Sequence, residues 1–319
     1  MQPQQPQIKI IKNIMGKINT EGGLAMKKSI NKVSERRAAY LFVIPAVALL
    51  AAFLIYPSLQ TIRYAFTDYN IMRPDRIVFC GFNNFAELFQ DEDFWIAVKN
   101  TLYFTVLVVP FQTILALALA LLISSRRKGV SVFRAAYFSP QVTSMVVVAI
   151  LWTVMYNSSP DSGLLNALLV KLGLEPCGFL NDPKTAMNSI IFMSAWQGAG
   201  YQMMIFLAGL QGISREQYEA ASIDGAGKIQ SFFYVTLPGL KSVIQYVVMI
   251  TVIQAMKLFT QPYVMTKGGP QNSTRTLVYY IYEQGFQKRN FGYACAVAAV
   301  FFVIVISLSL GMKKIIKAE

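Results

Sequence analysis

Gly225-Ala226-Gly227-Lys228 is the run that comes nearest to phosphate chemistry. A phosphate-binding loop needs a glycine, four residues, Gly-Lys and then a hydroxyl side chain. Here Ser222 stands where the first glycine belongs, and Ile229 stands where the magnesium-binding hydroxyl belongs. The run is therefore not read as a nucleotide site. The chain has no histidine, which removes imidazole metal sites, histidine general bases and Ser-His-Asp triads. Cys80, Cys177 and Cys295 lie far apart with no C-x-x-C, so a thiolate zinc site is not expected. A Cys80–Cys177 disulfide is conceivable if both face outward. No catalytic residue and no metal-ligand set emerges.

A second group of chemically capable residues stands out by context. Trp196, Gln197, Tyr201 and Gln202, and then Gln254, Lys257 and Gln261, interrupt strongly apolar runs. Polar side chains inside a membrane are costly and usually face a cavity or a partner. Aromatic faces with amide and charged hydrogen-bonders suit a concave small-molecule site. These seven residues are read as candidates for a substrate pathway, with helix–helix bonding or snorkelling as the alternative.

The elements that must carry them follow from composition. Of 319 residues, 55% are apolar and only 14% charged, against roughly 25% in an ordinary soluble domain. The apolar residues cluster into six runs near the 20-residue length that crosses a hydrocarbon core as a helix. They are Ala38–Tyr56 with Pro57 after it, about 101–124, Ser139–Met155, about 187–210, about 243–264, and Ala294–Gly311. The expected fold is an all-α integral membrane protein with six transmembrane helices. None of the six runs contains Asp or Glu, and no internal repeat is visible. A transporter coupled to protons or sodium and working alone thus lacks its usual ligands.

Lys and Arg set the orientation. Segments 1–37, 125–137, 211–242 and 312–319 carry 18 of the 29, with 6 acids; segments 57–100, 156–186 and 265–293 carry 10, with 10 acids. Both termini are therefore expected in the cytoplasm of a multi-pass protein of the cell membrane. The net charge of +13 is then a topological bias, and nucleic acid is dropped as a partner. The domain reading is a largely disordered tail over 1–37, a membrane domain over 38–312 and a short tail over 313–319. Met26, opening MKKS, is a plausible alternative start.

The segment 211–241 is longer than a connection between two spans requires. Ser214 followed three residues later by Gln217 forms a capping-box pattern, so a helix should begin there. Asp224-Gly225 should end it, because glycine accepts the left-handed geometry of helix termini. Lys228 to Val235 should form a second short helix.

Glu219-Ala220-Ala221, three residues to Gly225, and Val235-Thr236-Leu237-Pro238 resemble the EAA loop of permease subunits in binding-protein-dependent ABC importers. The family often has isoleucine where this chain has Val235. Gly81-Phe82-Asn83-Asn84-Phe85, Phe94-Trp95, Asn100-Thr101, Phe133-Arg134, Pro140 and Trp152 are similar to family positions around the second and third spans. Gly268-Gly269-Pro270, Thr276, Tyr282 and Phe286 are similar to the loop before the last span in sugar permeases of the MalF type. The resemblance covers about residues 35–312.

It implies a type I importer permease fold and a function in taking up a sugar or oligosaccharide. Implied partners are a second, related permease, two ATPase subunits, an extracytoplasmic solute-binding protein and membrane lipid. Arg215, Glu216, Glu219, Ala220, Ala221, Asp224 and Gly225 would form the contact to the ATPase. No cofactor is implied on this chain, since ATP and magnesium would sit on the ATPase. The charge asymmetry gives a direct test of the topology. Cysteine placed in 125–137 is expected to be shielded from impermeant thiol reagents in intact cells, and cysteine in 156–186 to react. The reverse labelling pattern would overturn the six-span topology.

Overall fold

The computed structural model describes residues 32–73, 75–124 and 130–317. The expected disordered tail lies almost wholly outside them, as do residues 125–129 of the basic 125–137 segment and the last two residues. The chain divides into two units, Met1–Gln60 and Thr61–Glu319.

The first unit contains helix α1, Lys32–Leu50, a π turn over Ala51–Ile55 and the start of α2, Tyr56–Ala65. The sequence suggested a span ending before Pro57, but the helix continues through it. Proline removes one N–H from the ladder. The π turn shifts the register ahead of the gap, so that the Tyr56 N–H bonds the Ala51 carbonyl five residues back. Ser58 also donates to the Leu54 carbonyl at 2.7 Å. Leu41, Phe42 and Phe53 are exposed, as a lipid-facing helix requires.

In the second unit the end of α2 is followed by two short strands, β1, Thr67–Asp68, pairing antiparallel with β2, Val78–Phe79. Helix α3, Asn83–Gln90, follows, and buried Asn84 donates to the Ala65 and Thr67 carbonyls at 2.9 and 3.0 Å. Helix α4 runs Glu92–Ile123, about nine residues longer at its start than the apolar run. Its N-cap Asp91 accepts from the Asp93 amide at 2.9 Å, from the Tyr293 hydroxyl at 2.7 Å and from the Tyr280 hydroxyl. Burial opposes ionisation of Asp91, but these hydrogen bonds outweigh it and hold the carboxyl below its ordinary value.

The third apolar run is not one helix. Helix α5, Val130–Val142, and α6, Met145–Met155, meet at 98°. Pro140 in the last turn of α5 weakens the ladder, and Ser144 is extended at ψ 129°. Helix α7, Leu164–Lys171, follows, and Asn166 ties its loop together through Asn157, Ser158 and both backbone groups of Cys177.

Helix α8, Ala186–Gln211, matches the fourth run closely. Helix α9 is Arg215–Ile223, and α10 is Lys228–Ser231. A π turn over Phe232–Thr236 leads to α11, Leu237–Gly239, and a 66° bend at Leu240 leads to α12, Lys241–Met256. The fifth run therefore stops early: helix α12 ends at Lys257, Leu258 and Phe259 are non-helical, and a π turn follows over Pro262–Thr266. Helix α13, Leu277–Tyr282, a π turn over Glu283–Gln287 and α14, Phe291–Lys317, complete the chain.

Among the described residues, three helices are long and apolar enough to cross a membrane: Tyr40–Ala65, Glu92–Ile123 and Phe291–Lys314. Counting each of the two bent pairs as one span would raise this to five. Helix α8 is the sixth element, at 26 residues about 39 Å long at ~1.5 Å per residue. Its polar side chains lower its hydropathy, and they are tolerated because most of α8 is enclosed by protein.

Helix α8 forms its most extensive contact with α4. One core joins Phe104 and Val108 of α4 with Trp152 of α6 and Ile190 and Met193 of α8. A second joins Ala116 and Ala120 with Met203, Phe206, Leu240 and Val247. Two glycines set the spacing. A Cβ at Gly198 would strike the Gln112 side chain, and one at Gly200 would strike the Tyr137 carbonyl of α5. All three cysteines are free, so the conceivable Cys80–Cys177 bridge is not formed.

The Asn100-Thr101 pair acquires a structural role. Asn100 donates to the carbonyls of Asn272 and Arg275 at 2.7 and 3.0 Å, and the Thr101 hydroxyl accepts from the Leu277 amide at 2.9 Å. Asn100→Ala leaves two partly enclosed carbonyls without that donor, at a cost of about 1–3 kcal/mol. The expected result is a thermal midpoint several degrees lower for the purified protein in nanodiscs, with insertion intact. An unchanged midpoint would show that the contact contributes nothing.

Candidate functional site

Two features concentrate the residues singled out in the sequence. The first is a cavity of about 440 Å³ between α4, the α5–α6 break, α8 and the end of α12. Gln112, Gln141, Thr143, Ser194, Gln197, Tyr201, Thr251, Gln254, Lys257, Phe259 and Gln261 lie on its wall. The two helix breaks build it. At each, the chain leaves helical geometry, and nearby side chains take up the freed backbone groups. Gln197 donates to the Pro140 carbonyl at 3.3 Å, and the Thr276 hydroxyl donates to the Leu258 carbonyl at 2.7 Å. Irregular backbone at membrane depth is tolerated where it lines such a cavity.

Five of the seven pathway candidates meet here: Gln197, Tyr201, Gln254, Lys257 and Gln261. Trp196 and Gln202 do not line the cavity. Trp196 packs against Trp152 with ring centroids 5.4 Å apart, and buried Gln202 donates to the Thr251 hydroxyl at 2.5 Å. Lys257 is not in mid-helix, as its place in an apolar run suggested. It is the C-cap of α12, and it is exposed. The carbonyl end of a helix favours a cation there.

Gln112, Gln141, Ser194 and Thr251 were missed from sequence. Gln112 carried a signal, as the glutamine within an otherwise apolar second run. Gln141 and Thr143 carried none, because only the break after Val142 turns them inward.

The second feature is the helix-turn-helix of α9 and α10–α11. Helix α9 begins where the capping pattern placed it, with Ser214 accepting from the Glu216 amide at 3.1 Å. Only the serine half of the expected box is present. The return bond of the second helix is made instead by Gln230, whose Oε1 accepts from the Gly227 amide at 2.8 Å. Helix α9 ends in a Schellman arrangement: the Ala226 amide reaches the Ala221 carbonyl at 2.8 Å, and the Gly225 amide the Ser222 carbonyl at 3.1 Å. Gly225 has φ +82°, and a Cβ there would meet only open space, so the need for glycine is one of backbone strain.

The second helix runs four residues beyond Val235, to Gly239, because another π turn precedes Pro238. A hydrogen bond of 2.9 Å between the hydroxyls of Tyr218 and Thr236 holds α9 against the returning helix. Gly239 admits Ile213 at the base, where a Cβ would lie 2.9 Å from its methyl. Arg215, Glu216, Glu219, Ala220, Asp224 and Gly225 are exposed, and Ala221 is half-buried. Ile223, Ile229 and Tyr234 are 86%, 75% and 81% exposed around the tip. Apolar residues so presented on a rigid, capped element mark an interaction surface.

Comparison with known proteins identifies the family. Residues 77–315 match the family described as binding-protein-dependent transport system inner membrane component. The chain is 38% identical over 282 residues to the probable ABC transporter permease protein YurN of Bacillus subtilis (strain 168), covering 87% of this chain and 95% of that one. It is 38% identical over 277 residues to the lactose transport system permease protein LacF of Rhizobium radiobacter, covering 85% and 91%. Among solved structures, a chain of a bacterial ABC transporter involved in the import of the acidic polysaccharide alginate superposes with a TM-score of 0.78 at 25% identity, covering 90% of this chain and 97% of that chain. A polar cavity at paired helix breaks and an exposed, capped helix-turn-helix thus occur in a chain that belongs to the family of inner membrane components of binding-protein-dependent transport systems.

Proposed function

We propose that this permease takes up a sugar or oligosaccharide handed to it by an extracytoplasmic binding protein, and that it forms the pathway together with a second permease chain. Two ATPase subunits would hold ATP and magnesium and would receive the helix-turn-helix. The observation that carries this reading is the cavity itself. Its wall combines five glutamine side chains, hydroxyls and the rings of Tyr201 and Phe259, which suits a polyhydroxylated cargo. The relatives' printed cargoes support a carbohydrate, and they range from lactose to the acidic polysaccharide alginate.

On this reading the α9–α11 element and both termini lie in the cytoplasm, following the Lys and Arg distribution. Arg215, Glu216, Glu219, Ala220, Ala221, Asp224 and Gly225 would meet the ATPase. Small Ala220 and Ala221 permit close approach, and Glu219 supplies a charge. Outer segments 57–100, 156–186 and 265–293 would meet the binding protein.

The coupling role has a separable test. Glu219→Lys reverses an exposed charge without disturbing the caps, and it is expected to abolish uptake while the permease still reaches the membrane. Gly225→Asp adds roughly 1 kcal/mol or more of left-handed strain and is expected to lower uptake as well. Co-purification of the ATPase and binding-protein-stimulated hydrolysis are measured for both. Wild-type stimulation and uptake in both variants would show that this element does not couple.

A further inference from the structure

The charge of the cavity wall narrows the cargo, on the reading that the cavity is the cargo pathway. Among the described residues, Lys257 is the single charged residue lining it, and no carboxylate faces it. Among the described residues the Lys257 ammonium enters no ion pair and no hydrogen bond. It stands free because α12 stops one residue before it, leaving the side chain exposed at the break.

Gln112 gives a second, independent observation. It is 6% exposed, lines the same cavity, and makes no hydrogen bond among the described residues. A buried amide without a protein partner has donors and an acceptor to offer a ligand. Gln197 and Gln261 are partly committed, to the Pro140 carbonyl and the Ser194 hydroxyl.

We infer that the cargo carries an anionic group, a carboxylate such as that of a sugar acid, which is held by the Lys257 ammonium with amide donors of the cavity-lining glutamines. A neutral sugar filling this space would strip water from an unpaired ammonium and return only hydroxyl contacts. Removing a partnerless charge from water is strongly unfavourable. An anion restores the balance, because hydrogen bonds between ionised groups are roughly twice as strong as neutral ones. The α12 carbonyl end eases the charge but supplies no counter-ion.

The inference is tested on the assembled importer in proteoliposomes, with native cysteines replaced by serine and a single reporter, Gln254→Cys, on the cavity wall. Reaction rates are compared for an anionic (sulfonatoethyl) and a cationic (trimethylammonioethyl) methanethiosulfonate. The anionic reagent is expected to be favoured. Lys257→Met should reduce the anion-to-cation rate ratio about fivefold or more, and Lys257→Arg should preserve it. A ratio that Lys257→Met leaves unchanged overturns the inference, because a carboxylate from the second permease chain would then already neutralise the site.

Uptake of digalacturonate and of neutral galactobiose by cells carrying the complete importer gives the second arm. Uptake of the acid, lost in Lys257→Met and retained in Lys257→Arg, supports the inference. Uptake of the neutral sugar alone, unaffected by Lys257→Met, overturns it and leaves the sugar-importer reading standing. Uptake of neither withdraws support from the sugar reading, and the cysteine reporter still decides the charge preference.

Discussion

The close approach of α8 to α4 and α5 is the contact on which the rest of the second unit depends. It is possible because Gly198 and Gly200 present no side chain to Gln112 and to the Tyr137 carbonyl. In lipid, where apolar surface gains nothing by leaving its surroundings, helix association rests on such packing and on interhelical hydrogen bonds. The glycines let α8 sink between its neighbours. Its own polar side chains are then shielded, and the cavity forms where the neighbouring helices break.

A second constraint is that backbone groups released inside a membrane must find partners. The chain meets it in two ways. Ahead of Pro57 and of Pro238, a five-residue π turn ending two residues before the proline carries the helix through. At the α5–α6 and α12 breaks the helix is given up, and Gln197 and Thr276 take the nearby carbonyls. The first device carries helical geometry past the proline, whereas the second leaves irregular backbone around a polar space. Proline alone does not decide between them.

The loops around α3 and α13 are held by another set of contacts. Asn84 joins the end of α2 to α3, Asn100 and Thr101 join α4 to the loop before α13, and Asp91 receives two tyrosine hydroxyls. Arg275 lies between Asp93 at 2.7 Å and Glu283 at 3.1 Å. Several of these residues belong to motifs that the sequence marked by resemblance. Their visible work is to fix loops against helices.

The sequence by itself determined the helical membrane class, the positions of α4, α8 and α14 to within a few residues at most ends, and both ends of α9. Apolar length, a serine cap and an Asp-Gly stop act locally, and a local signal survives without knowledge of the neighbours. It also marked Gln197, Tyr201, Gln254, Lys257 and Gln261, because a polar residue in an apolar run is conspicuous wherever it points. Tertiary structure alone decided that Pro57 does not end a helix, that the third and fifth runs are broken, and that Lys257 stands at a break. It also separated Trp196 and Gln202, which pack or bond behind the cavity wall, from Gln112 and Gln141, which line it. The physical reason is the same in each case: the cost of a broken hydrogen bond or a buried amide depends on what another helix places beside it, and sequence spacing along one helix does not contain that information.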